Sequence, residues 1–172
     1  MTIAPTLIQF PKVRRSPLRN ILHYQFYVKN THNVQVSTNT VDVEIYNSLR
    51  QECVNPRNHK ISGRHICACL YDKRGKVVAA GINSFSKTHP LQEKFGNSSH
   101  KIFLHAEIDA VVKALRKKDD LSNLNLAIAR VCRDGADGQA FPCDGCIDAL
   151  KFYGVESVTY FDEERGLCKF KF

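Results

Sequence analysis

Between residues 41 and 53 the apolar positions Val41, Ile45, Leu49 and Cys53 recur every four residues, a spacing that puts them on one helical face. Thr40 stands where an N-cap would, and Asn55-Pro56 closes the segment, because a residue before proline avoids the α conformation. The pattern then shortens. Residues 65–71 and 76–82 are brief apolar runs flanking Asp72-Lys73-Arg74-Gly75, which predicts a β-hairpin with a four-residue loop. Residues 83–103 lack periodicity and hold Pro90, Gly96, Asn97, Ser98 and Ser99. An irregular stretch of that length is usually functional, often a lid over a site.

Helical spacing returns over 106–118, with Ile108, Val111, Val112 and Leu115 on one side and Arg116-Lys117-Lys118 at the end where positive charge suits the helix dipole. Residues 124–131 read as a strand, followed by a Gly-rich loop at 135–138. A helix over 143–152 stops at Gly154. Strands follow at 155–161 and 167–172, around a turn at 162–166. That turn is too short for a parallel crossover, so the last two strands should form an antiparallel hairpin. The order of elements predicts an α/β fold of three layers: one five-stranded mixed sheet, with parallel crossovers at its middle and helices on both faces.

The chain has 172 residues, enough to bury a core without disulfide staples. No run approaches ~18 uninterrupted apolar residues, so no membrane span is expected. Pro5, Pro11 and Arg14-Arg15 break up the N-terminus, which therefore lacks an apolar core of signal-peptide type. A cytoplasmic location is the resulting expectation, and the seven cysteines read as reduced thiols or metal ligands. Cys67 and Cys69 alternate on a strand and read as small core residues. The net charge of +8 is unevenly placed: residues 1–40 hold Lys12, Arg14, Arg15, Arg19 and Lys29 and no acidic residue. Residues 1–40 thus read as a basic extension and 41–172 as the catalytic domain. Residues 1–20, with three prolines, read as an extended lead-in, while 21–36 are apolar enough to pack without deciding between helix and strand. The arm could meet phosphates of a nucleotide or nucleic acid, or simply be a solvated face.

Metal-ligand residues gather at two helix starts. His105-Ala106-Glu107 opens one helix, and Pro142-Cys143-Asp144-Gly145-Cys146 opens another. Cys143 and Cys146 are three apart and face one side in the first turn, where the helix dipole favours thiolates. One His and two Cys make three zinc ligands with a fourth position open, the pattern of catalytic rather than structural zinc. Zinc lowers the pKa of its water to about 7. Glu107, two residues past the His, is close enough to shuttle protons without being a ligand. The 38 positions between His105 and Cys143 hold one helix, one strand and a loop, which returns the chain to the same sheet edge.

These motifs, His105-Ala106-Glu107 and Pro142-Cys143-Asp144-Gly145-Cys146, resemble those of the zinc-dependent cytidine and deoxycytidylate deaminase superfamily. The resemblance spans about residues 64–161. It implies a cytidine deaminase-like fold, with zinc held by His105, Cys143 and Cys146. It implies Glu107 as the catalytic residue that protonates the ring nitrogen and then the leaving ammonia. It further implies substrate contacts from Asn83 and from the backbone of Phe141 and Pro142, a small nucleoside or nucleotide as partner, and a homo-oligomer. Lys87, Thr88, His89 and Lys101 are candidates for a phosphate contact. Position 109 is Asp where deoxycytidylate deaminases often have Asn. The expected function is hydrolytic conversion of cytosine to uracil in cytidine, deoxycytidine or deoxycytidylate. The alternatives are a deaminase acting on cytosine or adenine in single-stranded DNA or RNA, reached through the basic arm, and a silent zinc module that binds nucleic acid or protein. Glu107 argues against the last of these.

Overall fold

The computed structural model describes residues 34–54, 65–96 and 103–172. The basic residues and prolines of the N-terminal extension, and Asn55-Pro56, lie outside these residues. The strands are β1 (Val34–Val36), β2 (His65–Tyr71), β3 (Val77–Ile82), β4 (Asn125–Val131), β5 (Ser157–Asp162) and β6 (Gly166–Lys171). The helices are α1 (Thr40–Val54), α2 (Pro90–Phe95), α3 (Ala106–Leu115) and α4 (Asp144–Phe152). The strands form one mixed sheet in the order β1-β6-β5-β4-β2-β3. β4 and β5 are parallel, and every other neighbouring pair is antiparallel, including the β5–β6 hairpin. Among the described residues no helix is long and apolar enough to cross a membrane.

The sheet has six strands where the pattern predicted five. The additional strand is β1, which falls within the stretch read as an extension and pairs Val34 with Lys171 and Val36 with Lys169. A three-residue run is too short to carry a period, but it satisfies backbone groups that the outer edge of β6 would otherwise leave open. Two smaller expectations are also corrected. The irregular 83–103 stretch contains α2, which has Pro90 in its first turn and is capped by His89, whose Nδ1 accepts the Leu91 N–H at 3.1 Å. The cap of α1 is Asn39 rather than Thr40. Asn39 and Asp42 exchange side-chain-to-backbone hydrogen bonds of 2.9 and 3.0 Å, the reciprocal capping arrangement of N-cap and N3 residues.

Strand alternation sorts the two faces of the sheet. Cys67, Cys69, Tyr71, Ala127, Ala129 and Val131 pack under α1 against Tyr46, Leu49 and Cys53. The cysteines at 67 and 69 are therefore core residues. On the other face, α3 lies so close to β3 that a Cβ on Gly81 would overlap the Ala106 carbonyl and the Ala110 amide. Lys113 on α3 and Lys117 just past its end reach the Ala80 and Val78 carbonyls at 3.1 and 2.7 Å, covering the open edge of β3 with charge.

Under α1, Asp42 and Lys169 form a buried ion pair at 2.8 Å, and the Tyr71 hydroxyl donates to the same carboxylate at 2.7 Å. Burial pushes the Asp42 carboxyl up, but the Asn39 N–H, Lys169 and Tyr71 outweigh it and hold the group below the ordinary value. A depressed carboxyl adds stability above its unfolded pKa of about 3.9 and loses it as pH falls through the lower folded value. Asp42→Asn leaves the Lys169 ammonium buried without its partner. It is expected to cost about 3–5 kcal/mol in urea denaturation at pH 7. The gap to wild type should narrow below about pH 4, where the wild-type carboxyl also protonates. A gap that stays constant down to pH 2 would show that the ion pair is not its source.

Candidate metal centre and adjoining cavity

Two helix N-termini converge on one point because the crossovers over α3 and α4 both start at the same end of the sheet. His105 is the N-cap of α3 and Cys143 the N-cap of α4, both with extended backbone. Cys146 lies one turn into α4 and is fully buried. His105 Nδ1 is 3.5 Å from Cys143 Sγ and 3.4 Å from Cys146 Sγ, and the three donor atoms all lie within 4.8 Å of one another. A tetrahedral ion with Zn–N of about 2.0–2.1 Å and Zn–S of about 2.3 Å would separate nitrogen and sulfur by about 3.6 Å. The residues therefore fit zinc in both donor chemistry and spacing.

Cys146 donates toward Cys143, and with His105 alongside this holds the Cys143 thiol well below its ordinary value despite burial. The same hydrogen bond, together with burial, pushes Cys146 up. Glu107 is buried in the first turn of α3, two residues past His105. Burial, and then the Cys143 thiolate, raises its carboxyl above the usual range.

A cavity of about 280 Å³ opens beside the triangle, lined in part by His105, Glu107, Cys143, Asn83, Phe141 and Arg130. Asn83 extends the β2–β3 ladder: its N–H donates to the Ile66 carbonyl at 3.1 Å, and its Oδ1 accepts the Ile66 N–H at 3.0 Å. Phe141 packs against Tyr160 and Phe170, with centroids at 5.1 and 5.4 Å, so its position is fixed. Pro142 is buried and does not line the cavity. Neither do Lys87, Thr88 and His89, and Lys101 lies outside the described residues. Asp109 faces elsewhere: it accepts the Ile82 N–H at 3.0 Å and pairs with Lys113 at 2.8 Å.

Two residues placed at the site escaped the sequence reading. Gln92 on α2 is buried, and its Oε1 accepts the His105 N–H at 2.9 Å, which fixes the backbone of the metal ligand. No local pattern marks it, since the contact crosses 13 positions. Arg130 is a single charge within an apolar strand, and that interruption was the available signal.

Fold and donor set together define a zinc-binding α/β domain. Residues 44–162 match the family model of the cytidine and deoxycytidylate deaminase zinc-binding region, and the chain belongs to that family. The match begins within α1, earlier than the motif resemblance. Among solved structures, the chain is similar to the dCMP deaminase of cyanophage S-TIM5 in apo form, at 21% identity over 67% of this chain and 80% of that one, with a TM-score of 0.43. The complex of that enzyme with dCMP and dUMP aligns at 16% identity over 72% and 82%, with a TM-score of 0.46. A mutant cytidine deaminase from Mycobacterium tuberculosis aligns at 22% identity over 66% and 82%, with a TM-score of 0.39. No curated protein matches the chain in sequence.

Proposed function

We propose that the protein is a hydrolytic deaminase that converts cytosine to uracil in a small nucleoside or nucleotide. One observation carries the reading: the buried Glu107 carboxyl opens into the same cavity as His105 and Cys143. A purely structural zinc site gives no reason to bury a carboxylate beside its ligands.

His105, Cys143 and Cys146 would hold a zinc ion, which would supply activation of water at neutral pH. The chain's own groups do the rest. Glu107 takes the proton from the incoming water and delivers it to the ring nitrogen beside the attacked carbon. It then carries a second proton to the departing amine, so that water and cytosine become uracil and ammonia. Ile66, Ile128 and Phe141 give the cavity apolar walls suited to a flat base. Asn83 offers the polar contact that orients base or sugar. A volume of about 280 Å³ lies just under the usual range for small-ligand sites, enough for one base-sized group.

Ammonia release should be followed with the zinc-loaded protein against cytidine, deoxycytidine, their monophosphates, adenosine and a cytosine-containing single strand. Release from at least one mononucleoside or mononucleotide of cytosine is expected. Activity confined to the strand or to adenosine would overturn the substrate assignment.

A further inference from the structure

Helix α3 begins at a metal ligand, and that leaves one backbone group to be satisfied from elsewhere. His105 is the N-cap, so its own N–H lies ahead of the first turn and finds no acceptor within α3. Its side chain does not cap the helix, because the ring is turned to Cys143 and Cys146. In a reciprocal cap, the third helical residue reaches back to the N-cap N–H. Here that residue is Ile108, which is apolar and fully buried. α2 supplies the acceptor instead: Gln92 Oε1 takes the His105 N–H at 2.9 Å. Gln92 is 2% exposed, so this hydrogen bond is shielded from water.

The lever from that bond to the metal is short. The ring nitrogen that faces both sulfurs is Nδ1, the one nearer the main chain. A ligand atom that close to the backbone moves with it, so pinning the His105 N–H also pins the ligand atom. α2 braces the other half of the centre as well. Its Leu91 and Phe95 pack against the buried cluster that contains Cys146, as does Cys143. At the end of α2 the Phe95 carbonyl lies so close to Gly145, between the two cysteines, that a Cβ there would stand 2.3 Å from it. The start of α2 is held by the His89 cap. One short helix thus touches both of the helix starts that carry ligands.

We propose that Gln92 is a positioning residue of the metal centre, and that its hydrogen bond to the His105 N–H sets how tightly the centre holds zinc. This rests on the ligand set and not on the deaminase reading, so its readout is the metal and not turnover.

The test is zinc transfer to a chromophoric chelator from loaded wild type and from two loaded variants. Gln92→Met keeps the length of the side chain and removes the acceptor. Gln92→Glu keeps an oxygen at the same reach. Gln92→Met is expected to weaken zinc binding roughly 10–100-fold, the usual cost of losing a group that orients a metal ligand. Gln92→Glu should hold zinc within a few-fold of wild type. Both the equilibrium and the rate of transfer are read. The rate starts from loaded protein, so it decides even for a variant whose metal-free chain unfolds. Burying a carboxylate costs more than burying a thioether, so a role confined to packing would make Gln92→Glu the weaker binder of the two. A Gln92→Met protein that keeps zinc as tightly and as long as wild type overturns the proposal. So does a Gln92→Glu protein that gives up zinc as readily as Gln92→Met, since the acceptor would then not be what matters. Variants that behave as expected in a protein that deaminates no cytosine substrate sink the deaminase reading alone. Variants that all hold zinc alike in an active enzyme sink the role of Gln92 alone.

Discussion

Glu107→Gln is expected to stay folded and keep its zinc while losing at least 10²–10⁴-fold in turnover, the typical contribution of a general acid–base. Under the proposed mechanism the carboxyl serves the incoming water, the ring nitrogen and the leaving amine in turn, so the loss should sit at or above the upper end of that range. Glutamine keeps the volume and replaces a buried acid by a neutral amide, so the core beneath the site is not opened. The effect should appear in kcat, with product binding little changed, because the group acts on reacting atoms. A Glu107→Gln protein with half the wild-type rate and full zinc occupancy would show that the proton route runs through another group.

Cys143→Ala should lose the metal. Wild type is expected to hold about one zinc per chain through its three ligands, and elemental analysis should find the variant nearly empty. Since bound metal stabilises the folded chain, a chelator should lower the melting temperature of wild type and leave that of Cys143→Ala unmoved. Full zinc occupancy in the variant would refute the ligand set. The helix N-terminus to which Cys143 belongs survives the substitution, because it provides no side-chain cap there.

The centre was legible in the sequence because its parts are local. His105 and Glu107 are two residues apart, and Cys143 and Cys146 are three apart, so each pair reads as a short motif at a helix start, and the family resemblance joined the two motifs into one site. The β2–β3 hairpin was legible for the same reason, with a turn between two short apolar runs. What escaped depends on partners far along the chain. β1 is defined by β6, at the other end of the sequence. The Asp42–Lys169 pair spans 127 positions, and each member alone looks like a surface charge. Arg130 also looks like a stray surface charge until the strand is placed and the cavity appears on its face. The α1 cap was decidable in principle: Asn39 has an acid three residues on, whereas Thr40 has Val43, and the reciprocal cap needs a polar side chain at that position.

The most direct measurement of the central claim is solvent-oxygen labelling. Zinc-loaded protein is incubated with deoxycytidylate in ¹⁸O-water, and ammonia and the mass of the product are read together. A hydrolytic deaminase releases one ammonia for each uracil formed and places one solvent oxygen on the ring carbon that bore the amine. That result is expected for wild type, with Glu107→Gln near background. Cytosine substrates recovered unchanged from a fully zinc-loaded wild type, or ammonia released without label in the product, would contradict the account.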